Sequence, residues 1–169
     1  NNFNLSFFLA ILVIIIRPSF AGETELEFKG KLIADPCQVS ADSDYQTVEF
    51  GTIVSKTFIN HNRTNPKRFK IHLEECDLDL GNSVKIKFTG DEDNEQLNTF
   101  KVRGDAAGIA IAIEDEYGST VKPDEYMSPV KLSEGDMILN WNAYVQSNDY
   151  QKVKEGSFES SVTFHLEYE

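Results

Sequence analysis

From Leu26 onward, apolar side chains recur at every second position in one short run after another, and no segment repeats them at helical spacing. Leu26, Phe28, Gly30 and Leu32 alternate with Glu27, Lys29 and Lys31, and Val48 and Phe50 alternate with Thr47 and Glu49. Phe69, Ile71 and Leu73 alternate with Lys70 and His72, and Val84, Ile86 and Phe88 with Lys85 and Lys87. Ile109, Ile111 and Ile113 alternate with Ala110 and Ala112, while Leu139, Trp141 and Val145 share one parity. Val162, Phe164, Leu166 and Tyr168 close the chain, separated by Thr163, His165 and Glu167. Such runs predict strands with one wet and one dry face, the mark of antiparallel sheets packed on a common core. Turn-forming clusters at Asp79–Asn82, Thr89–Asp91, Tyr117–Ser119 and Ser133–Asp136 punctuate them. About seven strands with no helix beyond two turns predict an all-β, immunoglobulin-like sandwich.

The first residues follow another rule. Phe7 to Ile16 is an unbroken apolar run, Arg17-Pro18 ends it, and Ser19-Phe20-Ala21 offers small residues at the positions a signal peptidase reads. Residues 1–21 are therefore read as a signal peptide cleaved after Ala21, with the basic start of the reading frame lying before Asn1. The run is too short to span a bilayer as a helix. Export places the remaining 148 residues in an oxidising compartment, where Cys37 and Cys76 are expected to form one disulfide. A reactive thiol pair needs basic neighbours, whereas these cysteines stand among Asp35, Glu74, Glu75 and Asp77.

Charge and motifs narrow the function. Lys and Arg number 16 against 28 Asp and Glu, a net charge of −12 that repels phosphate backbones and argues against nucleic acid as a partner. Among His61, His72 and His165 no pair has metal-ligand spacing, and no nucleophile elbow or glycine-rich phosphate loop occurs. Asp91-Glu92-Asp93 lacks the glycine and distal glutamate of a calcium loop. No metal, cofactor or small-molecule substrate is expected, and nothing selects a carboxylate pair for catalysis, so the chain is read as non-enzymatic.

Several segments, taken together, resemble one family. Phe28-Lys29-Gly30-Lys31-Leu32 before Cys37, Val48-Glu49-Phe50-Gly51-Thr52-Ile53, and Phe69-Lys70-Ile71-His72-Leu73-Glu74-Glu75-Cys76 are similar to segments of the type 1-like pilins of the bacterial chaperone–usher pathway. So are Lys85–Gly90 and Gly108–Ile113, a glycine fourteenth from the end (Gly156), and a penultimate tyrosine (Tyr168). The resemblance implies a sandwich lacking its last strand. A periplasmic chaperone would fill the gap first, an outer-membrane usher would direct assembly, and the N-terminal extension of a neighbouring subunit would then replace the chaperone strand. Residues 22–34 would be this chain's donor extension, with Leu26, Phe28 and Leu32 as plugs and Gly30 facing a shallow pocket, and residues 35–169 the pilin domain. The acceptor edge would comprise Gly156, Val162, Phe164, Leu166 and Tyr168. The protein would thus be a fimbrial subunit on the bacterial surface, contributing to adhesion.

The short stretch before Cys37 and a composition rich in Lys, Glu and Phe resemble minor or adaptor subunits of that family more than its major rods. Two other classes stay open on the residues alone. One is a closed, self-contained secreted sandwich that binds carbohydrate through Asp91–Gln96 or Pro123–Pro129, with Tyr117 or Tyr126. The other is a hydrolase using an unrecognised carboxylate pair.

Overall fold

A computed structural model describes residues 25–169. The expected signal peptide and residues 22–24 lie outside the described residues. The chain divides into two units, Asn1–Leu32 and Ile33–Glu169.

Within the second unit the strands are β1 (Gln38–Val39), β2 (Lys67–Cys76), β3 (Ser83–Thr89), β4 (Phe100–Lys101), β5 (Arg103–Gly104), β6 (Ala110–Asp115), β7 (Val130–Lys131), β8 (Gly135–Gln146), β9 (Phe158–Glu159) and β10 (Thr163–Tyr168). Two single-turn helices, α1 (Ala41–Asp44) and α2 (Thr57–Asn60), and a 3₁₀ turn at Tyr150–Lys152 complete the regular structure. One sheet has the order β1-β2-β8-β6-β4, a second β10-β3-β7, and β5 pairs with β9. Every ladder is antiparallel.

Alternation decides which way each strand faces. In β3, Val84, Ile86 and Phe88 are buried between half-buried polar neighbours. In β8, Leu139, Trp141, Ala143 and Val145 turn to the same core. Pairing β2 with β8 sets Phe69 opposite Trp141 and Ile71 opposite Leu139. The sheets meet through aromatic rings: Trp141 stacks on Phe69 at 5.9 Å and receives Phe88 of the second sheet edge-on at 5.3 Å. Offset and edge-to-face contacts of this kind add about 0.5–1.5 kcal/mol each beyond area burial. The expected immunoglobulin-like, all-β architecture is the one observed.

Three expectations need revision. β6 has no wet face, because Ala110, Ile111, Ala112 and Ile113 are all buried. It lies between β8 and β4, with Ala112 opposite Tyr144, whose ring carries the Arg63 guanidinium 4.7 Å from its centre. Alanine at every second position marks a crowded outer face rather than a solvated one. Val48 and Phe50 lie outside any strand, although with Ile53 they pack half-buried against the core. Their alternation reports one-sided burial, and no strand ladder receives their backbone. Leu26–Leu32 likewise shows alternation without regular secondary structure.

The turn signal at Tyr117–Ser119 falls on a turn, whereas Thr89 ends β3 and Gly135-Asp136 open β8. At the end of β6 the Asp115 carboxylate accepts the amides of Tyr117 and Ser119 at 2.9 and 2.8 Å, and Gly118 takes φ +84°. The acidic loop is held by its own carboxylates. Asp93 accepts the Glu95 and Gln96 amides, Glu92 accepts the Asn98 amide, and Asp91 pairs with Arg103 at 2.7 Å.

Cys37 and Cys76 form a disulfide across 39 residues of sequence. Both are buried, and the bond ties the chain just before β1 to the end of β2. In the chain-entropy view, closing such a loop stabilises the fold by about 4 kcal/mol. Replacing both cysteines by serine is expected to lower the unfolding free energy by about that amount, read as a lower midpoint in urea. The same shift should follow reduction of the unaltered chain.

Candidate functional site: an open seam beside the last strand

An immunoglobulin-like sandwich closes when each sheet ends on a covered or blunted edge. Here one seam stays open. β10 is the outer strand of its sheet and hydrogen-bonds only to β3 among the described residues. The ladder shows which groups are free. Glu169 donates its amide to the Ser83 carbonyl at 2.9 Å, and Ser83 returns the bond at 3.2 Å. In an antiparallel ladder paired residues alternate. Glu167, His165 and Thr163 therefore bond toward β3, while Tyr168, Leu166 and Phe164 present N–H and C=O to the open side.

The side chains of those same residues point inward. Val162, Phe164, Leu166 and Tyr168 pack against the core but stay half-buried. They thus combine an unfinished apolar surface with a row of free backbone groups. Across from them runs the segment leading into β1. Asp35, Cys37, Gln38 and Val39 form one wall of a cavity of about 620 Å³, and Phe164, His165, Leu166 and Tyr168 form the other. The disulfide fixes the first wall and the β3 ladder fixes the second. The Tyr168 hydroxyl is buried without a hydrogen-bond partner. Its burial, and then the negative charge of Asp35, push the phenol above its ordinary pKa.

The outer face of β10 is charged. Lys85 lies 3.1 Å from Glu167 and also binds Glu169. Lys85, and then the Tyr126 hydroxyl, hold the Glu167 carboxyl below its usual range. The Tyr126 ring has Lys87 over it at 4.8 Å and Lys85 at 5.7 Å. Of the two tyrosines that the carbohydrate-binding alternative would use, Tyr126 has lysines over its ring and Tyr117 stands exposed at the β6 turn.

Gly156 is placed apart from the cavity. Its φ is +153°, and a Cβ there would stand 2.7 Å from the Asp105 Cβ and 2.8 Å from the Ala106 nitrogen. The glycine lets the chain before β9 pass against Asp105–Ala106. It does not line the cavity. The Asp35–Val39 wall was missed by sequence reasoning. A two-residue strand is too short for alternation to announce, and its only signal was proximity to Cys37.

In the first unit, Leu26, Phe28 and Leu32 are 78%, 89% and 100% exposed. Apolar side chains in a row at that exposure lack the cover that a stable solvated segment needs. Glu27 and Lys29 pair between them on the alternate positions.

Comparison with known proteins fits this geometry. The family profile described as "Fimbrial protein" matches residues 26–169. The chain belongs to the fimbrial protein family. It is 32% identical over 149 residues to the major MR/P fimbria protein of Proteus mirabilis (strain HI4320), covering 88% of this chain and 85% of that one. The P pilus rod subunit PapA superposes with a TM-score of 0.72 at 25% identity, covering 80% of this chain and all of that one. A subunit in the structure of a chaperone–usher pilus gives a TM-score of 0.72 at 26% identity, covering 88% and 97%. This pilin therefore has the incomplete sandwich of chaperone–usher subunits, and its place is the fimbrium at the bacterial surface. The family is one of structural subunits, and among the described residues no three His, Cys, Asp or Glu side chains gather as a metal site.

Gly156→Ala tests the placement of that glycine. The added Cβ meets backbone at a φ that L-residues rarely adopt, at a cost of about 2 kcal/mol. The pilin should lose that much stability in urea unfolding, with its affinity for a strand peptide in the seam little changed.

Proposed function

We propose that this pilin polymerises head-to-tail by donor-strand complementation. The observation that carries the reading is the seam itself: β10 joins free backbone groups to a half-buried apolar face along a 620 Å³ cavity. An added strand satisfies both at once. Main-chain hydrogen bonds give affinity, and alternate side chains entering the core give register. Val162, Phe164, Leu166 and Tyr168 are the acceptor, and Gly156 shapes the entry to that strand. A periplasmic chaperone covers the seam during transit, and the usher presents it to the extension of a neighbouring pilin.

The donor of this chain is the extension 22–34, with Leu26, Phe28 and Leu32 as plugs and Gly30 at the shallow position. Each plug contributes about 1.5–3 kcal/mol when fully buried. Donor and acceptor are different surfaces of one chain, so the contact is heterologous and builds an open filament rather than a closed ring. The short extension and the Lys-, Glu- and Phe-rich composition support a minor or adaptor position in the fibre. The subunit contributes to adhesion by linking neighbours.

Two oxidised proteins test the mechanism: residues 35–169, and the same domain with a flexible linker and residues 22–34 fused after Glu169. The fused form should melt at least about 10 °C higher, as three buried plugs require. The bare domain should be loose or aggregate. A bare domain that is already a cooperative monomer and gains nothing from the strand would refute donor-strand complementation. Glycan-array binding by that monomer would then favour a self-contained carbohydrate-binding module.

A further inference from the structure

We propose that the seam along β10 is built for the extension of a different subunit, neutral or basic where this chain carries Glu25 and Glu27, and that it disfavours a second copy of this chain. The inference rests on the donor-strand reading and names the partner.

Register comes first. Every ladder in the domain is antiparallel, and antiparallel pairing is slightly the more stable per residue. In an antiparallel alignment a single register sets all four inward positions of this chain's extension against all four of the acceptor. It puts Leu26 opposite Tyr168, Phe28 opposite Leu166, Gly30 opposite Phe164 and Leu32 opposite Val162. The residue without a side chain meets a large ring, and a slip by two residues strands one plug beyond the acceptor row.

The outward positions then follow without freedom. Glu25 falls opposite Glu169 and Glu27 opposite Glu167, while Lys29 and Lys31 fall opposite His165 and Thr163. Like charges directly opposite on one sheet face are destabilising. The surroundings sharpen the conflict. Asp35 lines the cavity too, near enough to Tyr168 for its charge to act on the phenol. Asp77 and Asp79 are brought there because the Asp77 amide bonds the Pro36 carbonyl at 2.7 Å. A Cβ on Gly81 would lie 2.7 Å from Pro36 and 3.1 Å from the Glu169 carbonyl oxygen. Among the described residues, Lys85 is already bound to both glutamates, and Lys131 stands opposite Ser83. Lys87 lies over the Tyr126 ring, opposite His165. An incoming strand therefore meets a net acidic end where its N-terminal half docks: Glu167, Glu169, Asp35 and Asp77 outnumber Lys85 and Lys87, and Lys85 is already engaged by both glutamates.

The test uses the full mature chain, residues 22–169, refolded from urea with one of two fluorescent peptides. One has the sequence of residues 22–34, and the other carries Glu25→Lys and Glu27→Lys. Anisotropy titrations at low and high salt give the affinities. The lysine peptide should bind about tenfold more tightly at low salt, and the gap should close near 1 M salt, where screening acts within about 3 Å. In a Glu167→Gln chain the gap should narrow at low salt. Equal affinities, or tighter binding of the unaltered peptide, would overturn the inference. The second result would point to a parallel register that brings Lys31 against Glu167. If neither peptide binds, the donor-strand reading fails and this inference with it.

Discussion

The unpaired edge of β10 is the constraint on which the remaining structure depends. A strand that carries core residues on one face cannot be left flat and uncovered without inviting aggregation. In this pilin the core is completed around that fault. Phe69, Phe88 and Trp141 lock the two sheets together at the middle of β2, β3 and β8. The disulfide fixes the far wall of the seam, and the Lys85–Glu167–Glu169 cluster anchors β10 to β3. Each contact holds a border of the opening in place, and among the described residues none fills it.

Pre-organisation of this kind has a thermodynamic meaning. A groove whose walls are already fixed loses little conformational entropy when a strand enters. The entering strand brings the larger ordering cost, because an exposed extended segment gives up its backbone freedom on docking. Leu26, Phe28 and Leu32 stand exposed in such a segment, with charged residues between them. On the donor-strand reading proposed above, this division puts rigidity in the acceptor and adaptability in the donor.

Much of this was legible in the sequence because period-two alternation is a direct record of one-sided burial. β2, β3, β8 and β10 were visible for that reason, as was the disulfide from two cysteines in an exported chain. Alternation says nothing about hydrogen-bond partners, which is why Val48 and Phe50 read as a strand yet pack as irregular chain. It also fails where the second face is covered by neighbours, as at Ala110 and Ala112. The Asp35–Val39 wall was hidden because its placement is long-range, set by a cross-link and two backbone pairs rather than by local pattern. Gly156 stands out in the sequence only by its position, because the close passage against Asp105–Ala106 exists only in three dimensions.

An open edge must attract one strand and repel many, and a single face of β10 cannot do both. Apolar complementarity is permissive, because any alternating hydrophobic segment offers plugs of roughly suitable size. Discrimination has to come from the other face, where a wrong partner places like charges together or leaves a buried polar group unsatisfied. His165, Glu167 and Glu169 occupy that outer face, and the Tyr168 hydroxyl is the polar group held inside. On the proposed donor-strand reading, the inner row therefore sets how tightly a strand is held, and the outer row sets which strand it is. The net charge of −12 extends the same logic beyond the seam, since acidic chains repel one another at long range until a matching local pattern outweighs the repulsion.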